Sequence, residues 1–299
     1  MKGLEEAFKN LGRLKKDFSL KEFTTFKIGG KAKYFFLPFS EDCLKIALKI
    51  LGEQSINYYI LGGGSNLLIS SEAIEGVVIK LDFKEILPLG DNLFYLGAGV
   101  STRSILNFSL ANNLGGLEFL ALLPASLGGV IVNNASFKEN SIFDRVSRVK
   151  VLQPQTQEIF FIDRENIYYT YRSSSLKTER LIVLGAEIEF YPSPSKKIRE
   201  KIKEVIAYRK RNQEVGKFSA GCIFKNPSPQ ILAGKLIEEL NLKGLRKGKA
   251  FVSLKHANFI INEGGADSKD VVFLIEYIKK KVYNRWRIVL EEEVERWQC

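Results

Sequence analysis

Histidine is almost missing from this chain: His256 is the only one in 299 residues, alongside one methionine and two tryptophans. A Ser-His-Asp relay is therefore disfavoured, and proton transfer has to rest on carboxylates, Tyr, Lys, Ser or Cys. Cysteine is scarce too. Cys43, Cys222 and Cys299 are far apart and odd in number, so they make no disulfide framework, and no Cys/His cluster has the spacing of a zinc site. Long apolar runs are lacking. The least polar stretch, Phe119 to Val132, is broken by Pro124, Ser126, Gly128 and Gly129, which excludes a bilayer span. The first residues (Lys2, Glu5, Glu6, Lys9) mix both charges and hold no apolar signal-peptide core, so a cytoplasmic protein with no membrane partner is expected.

What is present is ordinary globular material, 45% hydrophobic and 26% charged, enough for two or three packed domains. The net charge is +11, and it is uneven. Residues 196–211 hold eight Lys/Arg against two Glu, so this segment carries +6. It reads as a solvated helix face or as a lure for anionic small molecules. A nucleic-acid surface would also be basic, but no nucleic-acid motif accompanies it, so no such partner is expected.

Hydrophobic spacing places the elements. Leu4, Phe8, Leu11 and Leu14 predict an N-terminal amphipathic helix. Strands are predicted at 33–38, 58–61, 76–81 and 93–96, with helices over 41–51 and 102–112, the latter opened by Ser101 as N-cap. Gly115 to Ser136 is too punctuated for a long element. Strands follow at 146–152, 158–163 and 181–191, and Pro192 and Pro194 mark a boundary. Val271, Leu274, Ile275, Ile278 and Val282 fall on one face of a helix over 267–286, and 288–294 reads as a closing strand.

Five segments have the residue types that chemistry needs. In Gly62-Gly63-Gly64-Ser65-Asn66 a strand empties into three glycines, so backbone N–H groups can approach an anion such as a pyrophosphate with no Cβ between. It matches neither GxGxxG nor a P-loop, and a tight structural turn is the alternative. The small residues around Pro124, Gly128, Gly129 and Asn133 suit either a flat ligand against backbone or a compact buried loop. Tyr171-Arg172 offers a fork for a carboxylate, although an Arg beside aromatics is commonly an ion-pair residue. In Ala220-Gly221-Cys222-Ile223-Phe224-Lys225-Asn226-Pro227 the thiol is a small buried hydrophobe or a proton donor, since a free thiol ionises near ~8.5. Among Glu291, Glu292 and Glu293, strand alternation separates Glu292 from the other two, and Glu293 could enter a cleft. His256 reads as a hydrogen-bonded structural residue.

In order along the chain, Thr24-Thr25-Phe26-Lys27-Ile28-Gly29-Gly30, Gly62 to Leu68, Gly97-Ala98-Gly99, Gly116-Leu117-Glu118-Phe119, Tyr171-Arg172, Ala220 to Pro227, Ala233 to Glu238, Val252 to Asn262 and Leu290 to Val294 together resemble the UDP-N-acetylenolpyruvoylglucosamine reductase family. The resemblance runs from about residue 20 to residue 297. It implies an α+β fold: a two-part FAD-binding unit of the vanillyl-alcohol-oxidase-like (PCMH) type, then a C-terminal α+β substrate-binding domain. The expected borders are 1–76 and 77–191 for the two FAD-binding parts and 192–299 for the last domain. The short Arg172–Cys222 separation is similar to the compact class, which lacks an extra tyrosine loop.

The resemblance further implies NADPH as co-substrate, a UDP-sugar substrate, and FAD held by Gly62, Gly63, Gly64, Ser65, Asn66, Pro124, Gly128, Gly129 and Asn133. The flavin should be non-covalent, because His256 lies in the last domain. Arg172 and Glu293 would polarise the substrate carboxylate, Glu293 in protonated form, and Cys222 would donate a proton where the family usually has serine. Tyr171, Lys225 and Asn226 would touch substrate, and the chain is expected to act as a monomer. Residues 121–126 and 134–138 depart from glycine-richer family versions. A flavin oxidase with another substrate would share the glycine loop but not the segment around Cys222. A nucleic-acid binder would explain the charge but not the glycines.

Overall fold

A computed structural model of the chain describes residues 3–298, so Cys299 lies outside the described residues. These residues form two compact units. The first runs up to Lys16 and includes Tyr34–Gly63 and Glu75–Ala207; the second comprises Asp17–Lys33, Gly64–Ile74 and the chain from Tyr208 on. These units are interleaved in sequence, unlike the three consecutive segments expected. The cause is non-local pairing. Gly30 N–H donates to the Ser70 carbonyl at 2.6 Å, and Ser70 N–H donates to that of Trp297 at 3.0 Å. Phe26, Ile28 and Leu68 sit in one buried cluster with Ile223, Ile260 and Leu274. Two early segments therefore belong to the later core.

The first unit contains two sheets. One is antiparallel throughout, in the order 158–163, 146–153, 182–189, 93–97, 86–88. Ile182–Glu189 is buried along nearly its full length, and its buried Glu187 accepts from Arg148 Nε at 2.7 Å. The other runs 12–19, 31–38, 74–80, 58–61, with Tyr58–Leu61 parallel to Ile74–Lys80. The helix Glu41–Glu53 starts where the Ser40 hydroxyl accepts from Cys43 N–H, and it buries Leu44, Ala47, Leu48 and Leu51. Helix Thr102–Asn112 has Ser101 as cap, as expected. Each fully buried aliphatic side chain contributes about 1.5–3 kcal/mol.

The N-terminal helix is shorter than the spacing predicts. It ends at Phe8, and Gly12–Ser19 is a strand. A Cβ on Gly12 would lie 2.2 Å from the Leu37 carbonyl oxygen, so glycine lets two strands approach there. Leu11 and Leu14 still pack against the core, but not from a helix.

In the second unit, Ala250–Val252 pairs with Ile260–Asn262 and with Arg246–Lys247. Helix Ser268–Trp286 opens with a capping box between Asp267 and Asp270 and buries the five apolar residues its periodicity singles out. The closing strand is Glu295–Trp297, parallel to Leu67–Ile69, and not 288–294. Ion pairs decide this. Glu292 meets Lys279 at 2.9 Å and Arg296 at 2.5 Å, which holds the acidic run in a bend. Helix Ser195–Asn212 carries the basic run with most of its charged side chains exposed. No helix among the described residues is long and apolar enough to cross a membrane.

Leu122 occupies a left-handed conformation (φ 61°) with 42% of its surface exposed. A non-glycine residue there costs about 1–2 kcal/mol, against roughly 0.5–1 kcal/mol of extra unfolded-state freedom for glycine. Leu122→Gly is expected to leave stability unchanged or raise it by up to ~1 kcal/mol in urea unfolding. A loss above ~1 kcal/mol would refute the strain.

Candidate active site

In the first unit the glycine turn faces the segment after Pro124. A Cβ on Gly63 would lie 2.7 Å from Ala125 Cα and 2.9 Å from Ser126 N, and one on Gly62 would lie 3.1 Å from Ser126 Oγ. Backbone meets backbone here, so protein packing alone already demands glycine at position 63. Gly129 is different: among the described residues, the only atom within 4 Å of a Cβ there, outside its own helix backbone, is Ser126 Oγ at 3.8 Å. Glycine at 129 keeps space open beside Gly62 and the Ser126 hydroxyl, which is the shape a phosphate-bearing cofactor needs. Ser126, a hydroxyl between two small-residue runs in sequence, stands at this corner as a candidate that the motifs did not mark.

Around this corner, Lys80 Nζ donates to the Gly62 carbonyl at 2.9 Å, and burial pushes the Lys80 ammonium below the usual lysine range. Asn133 Nδ2 donates to the Gly129 carbonyl at 3.0 Å, and its Oδ1 accepts from Lys177 at 3.5 Å. Pro124 is exposed, and Gly128 is packed with its Cβ position 3.1 Å from Ala98 Cβ.

Arg172 sits in a two-residue hairpin turn between Tyr169–Thr170 and Ser173–Ser174. Its φ is 58°, the left-handed region, where an arginine is strained by on the order of 1–3 kcal/mol. Nη1 donates to the Ser136 hydroxyl at 2.9 Å and to the Ser136 carbonyl at 3.2 Å, and the guanidinium lies 5.2 Å over the Tyr171 ring. Ser136 is one of the departures in 134–138, and here it adds a hydroxyl that anchors the arginine. Asn134 ties the same loop down, with Nδ2 donating to the Thr170 carbonyl at 2.8 Å and Oδ1 accepting from Ser141 Oγ at 2.6 Å.

In the second unit, Cys222 follows Gly221, whose φ of 79° suits glycine, and bridges to Phe259. The segment is clamped on two sides. Asn258, 3% exposed, accepts from Phe224 N–H at 3.0 Å and donates Nδ2 to the Phe224 carbonyl at 2.8 Å. Glu293 N–H donates to the Ile223 carbonyl at 2.8 Å. The thiol and the Glu293 carboxyl thus rise from neighbouring backbone, and both residues are half-buried. Asn66 uses one amide donor on the Glu293 carbonyl at 2.8 Å, and Glu295 N–H returns to the Asn66 carbonyl at 2.9 Å. Gly64 needs no ligand to explain it: at φ 67° its Cβ would lie 1.9 Å from the Phe23 carbonyl oxygen. Ser65 is half-buried beside it.

The two predicted substrate contacts after Cys222 have structural partners. Lys225 pairs with exposed Glu291 at 3.3 Å, and Asn226 Oδ1 accepts from Ala233 N–H at 3.0 Å at the start of helix Ala233–Glu239. His256 Nδ1 accepts from Asn258 N–H at 3.2 Å, so the ring proton sits on Nε2, and burial lowers the imidazole below its usual range.

A family model for the C-terminal domain of UDP-N-acetylenolpyruvoylglucosamine reductase matches residues 213–297, and one for an FAD binding domain matches residues 32–159. A UDP-N-acetylenolpyruvoylglucosamine reductase of Caldicellulosiruptor saccharolyticus is 37% identical over 94% of this chain and 90% of its own. The chain belongs to the UDP-N-acetylenolpyruvoylglucosamine reductase family. A second member, from Caldanaerobacter subterraneus subsp. tengcongensis, is 38% identical over 97% of this chain and 95% of its own. The crystal structure of the Thermus caldophilus reductase aligns with a TM-score of 0.79 at 32% identity, covering 96% and 98% of the two chains. A berberine bridge enzyme variant, at 13% identity and a TM-score of 0.51 over 64% of this chain and 44% of its own, shares the fold alone. The expected flavin-binding architecture with its C-terminal domain is therefore present. For this reductase-family chain, the open space at Gly129, with the Ser126 hydroxyl and the glycine backbone beside it, fits an FAD pyrophosphate.

Two outcomes check the second-unit clamp. Asn258→Ala strands a buried N–H and a carbonyl of Phe224, and a loss of about 2–4 kcal/mol is expected in urea unfolding. For His256, the unfolded imidazole takes up a proton near pH ~6.5 while the folded one resists to lower pH. Its contribution is full above that value and is lost as pH falls through the depressed folded pKa. The melting temperature should drop less steeply between about pH 7.5 and 5.5 in His256→Gln than in the wild type. Parallel profiles would contradict this.

Proposed function

We infer that this chain converts UDP-N-acetylglucosamine enolpyruvate to UDP-N-acetylmuramate in peptidoglycan precursor synthesis, with NADPH as electron donor and FAD as cofactor. The observation that carries this reading is the match along nearly the whole chain to relatives named for that one reduction. When bound, FAD supplies the two-electron transfer between NADPH and the alkene. Gly62, Gly63, Ser126 and Gly129 would hold its pyrophosphate.

The substrate sets the demands on the chain's own residues. Its alkene is conjugated to a carboxylate, so reduction at the terminal carbon pushes negative charge onto that carboxylate as an enolate. Arg172 meets this charge with a guanidinium already anchored to Ser136, so little reorganisation is needed as charge develops. The left-handed φ of Arg172 supports this role over a plain ion pair, because the fold tolerates strain to present that residue. Glu293, protonated, hydrogen-bonds the same carboxylate; an ionised form would repel it. Cys222 Sγ delivers the proton to the adjacent carbon. A thiol is a stronger acid than the serine usual in the family, so the substitution keeps the chemistry available. Tyr171, half-exposed beside Arg172, borders the substrate, and the basic helix draws in both polyanionic substrates. The flavin is non-covalent and the chain acts as a monomer.

The two half-reactions separate the roles in anaerobic stopped-flow. Cys222→Ala should leave flavin reduction by NADPH unchanged and slow reoxidation by the enolpyruvyl UDP-sugar about 10²-fold or more, while Cys222→Ser stays within ~10-fold of wild type. Reoxidation of Cys222→Ala at the wild-type rate removes the thiol from the mechanism. Arg172→Lys should slow the same step on the order of 10²-fold with unfolding stability changed by under ~1 kcal/mol, and FAD should leave the chain on denaturation.

A further inference from the structure

Lys80 ends the strand Ile74–Lys80 opposite Leu61 of its parallel neighbour, so its side chain lies beside the point where Tyr58–Leu61 runs into the glycines. Among the described residues its Nζ makes one hydrogen bond, to the Gly62 carbonyl at 2.9 Å. A half-buried ammonium that is bound to a single backbone carbonyl costs desolvation, and a shorter or neutral residue would avoid that cost. What it gains is control over a peptide plane.

The Gly62–Gly63 peptide has a glycine on each side, so few steric barriers fix its orientation. No cis bond occurs among the described residues, and in a trans peptide the carbonyl and the following N–H point in opposite directions. A carbonyl held by Lys80 therefore turns the Gly63 N–H away from Lys80. Among the described residues none accepts that N–H. The ammonium also polarises the peptide it binds, which makes the N–H a better donor. We propose that Lys80 is a positioning residue for FAD: by holding the Gly62 carbonyl it fixes the Gly63 N–H as a donor to the flavin pyrophosphate. It acts through the peptide and does not touch the cofactor. The proposal rests on the reading that the pyrophosphate lies against Gly62 and Gly63.

The test is flavin affinity, measured by fluorescence quenching on the full-length chain stripped of its flavin, with FAD and riboflavin as probes. Riboflavin has the ring but no phosphate. Lys80→Met should raise the FAD Kd tenfold or more and move the riboflavin Kd less than twofold, with Lys80→Arg, which keeps a charged donor, recovering most of the FAD affinity. An unchanged FAD Kd in Lys80→Met, an equal loss for both flavins, or no recovery in Lys80→Arg overturns the proposal. Should Lys80→Met fail to fold, Lys80→Gln takes its place, with the same two-flavin comparison deciding. Gly129→Ala separates the two readings, because its Cβ would meet no described atom outside its own helix closer than 3.8 Å and only reduces the open space. If Gly129→Ala binds FAD as tightly as wild type, the glycine-turn site itself is wrong; if it loses FAD while Lys80→Met does not, only the role of Lys80 is wrong.

Discussion

Backbone brought against backbone at Gly63 and Ala125 leaves no room for a side chain, and much of the first unit's chemistry follows from that approach. It draws the end of a parallel strand up to the segment that leads into Leu127–Val132. Ser126 is thereby placed at the corner, and Gly129 opens a space that a Cβ would reduce. The glycines thus have three separate tasks. Gly63 permits contact with protein, Gly64 supplies a left-handed turn under Phe23, and Gly129 leaves volume for something else. A run of three glycines in a sequence cannot reveal this division, because all three look alike.

The second unit is governed by a different interaction, the buried Asn258 amide. Its two hydrogen bonds to Phe224 hold the Cys222 segment, and the Ile223 carbonyl then fixes Glu293 from the other side. Asn258 lies in an apolar stretch whose polar residue looks incidental, yet removing it would leave both backbone groups of Phe224 unpaired. His256 is held by the same turn and stays neutral there, which agrees with its reading as structural. Ion pairs complete the arrangement. Glu292 is taken by Lys279 and Arg296, and Glu291 by Lys225, while Glu293 N–H donates to the Ile223 carbonyl.

Strain and anchoring meet at Arg172. A left-handed arginine in a hairpin turn is unfavourable locally, and the loop 134–136 compensates with hydrogen bonds from both sides. The serine at 136 departs from the family's usual glycine, and the departure strengthens the hold on the guanidinium. The leucine at 122 is a departure of another kind: it sits in a conformation glycine would adopt freely, exposed, with no compensating bond in view.

The sequence by itself determined the elements whose signal is local. The helix at 268–286, the Ser101 cap, and the strands at 58–61 and 158–163 stand where spacing and side-chain chemistry put them, because periodicity and capping depend on near neighbours. The ordered motifs also carried the family. Only the tertiary structure decided that Asp17–Lys33 and Gly64–Ile74 join the C-terminal unit, that Leu14 lies on a strand, and that the last strand begins at Glu295. Each of those depends on a partner far away in the chain: Trp297 for Ser70, Leu37 for Gly12, Leu67 for Glu295. Backbone hydrogen bonds are obligatory, but which carbonyl satisfies which N–H is fixed by three-dimensional packing and not by neighbours in sequence.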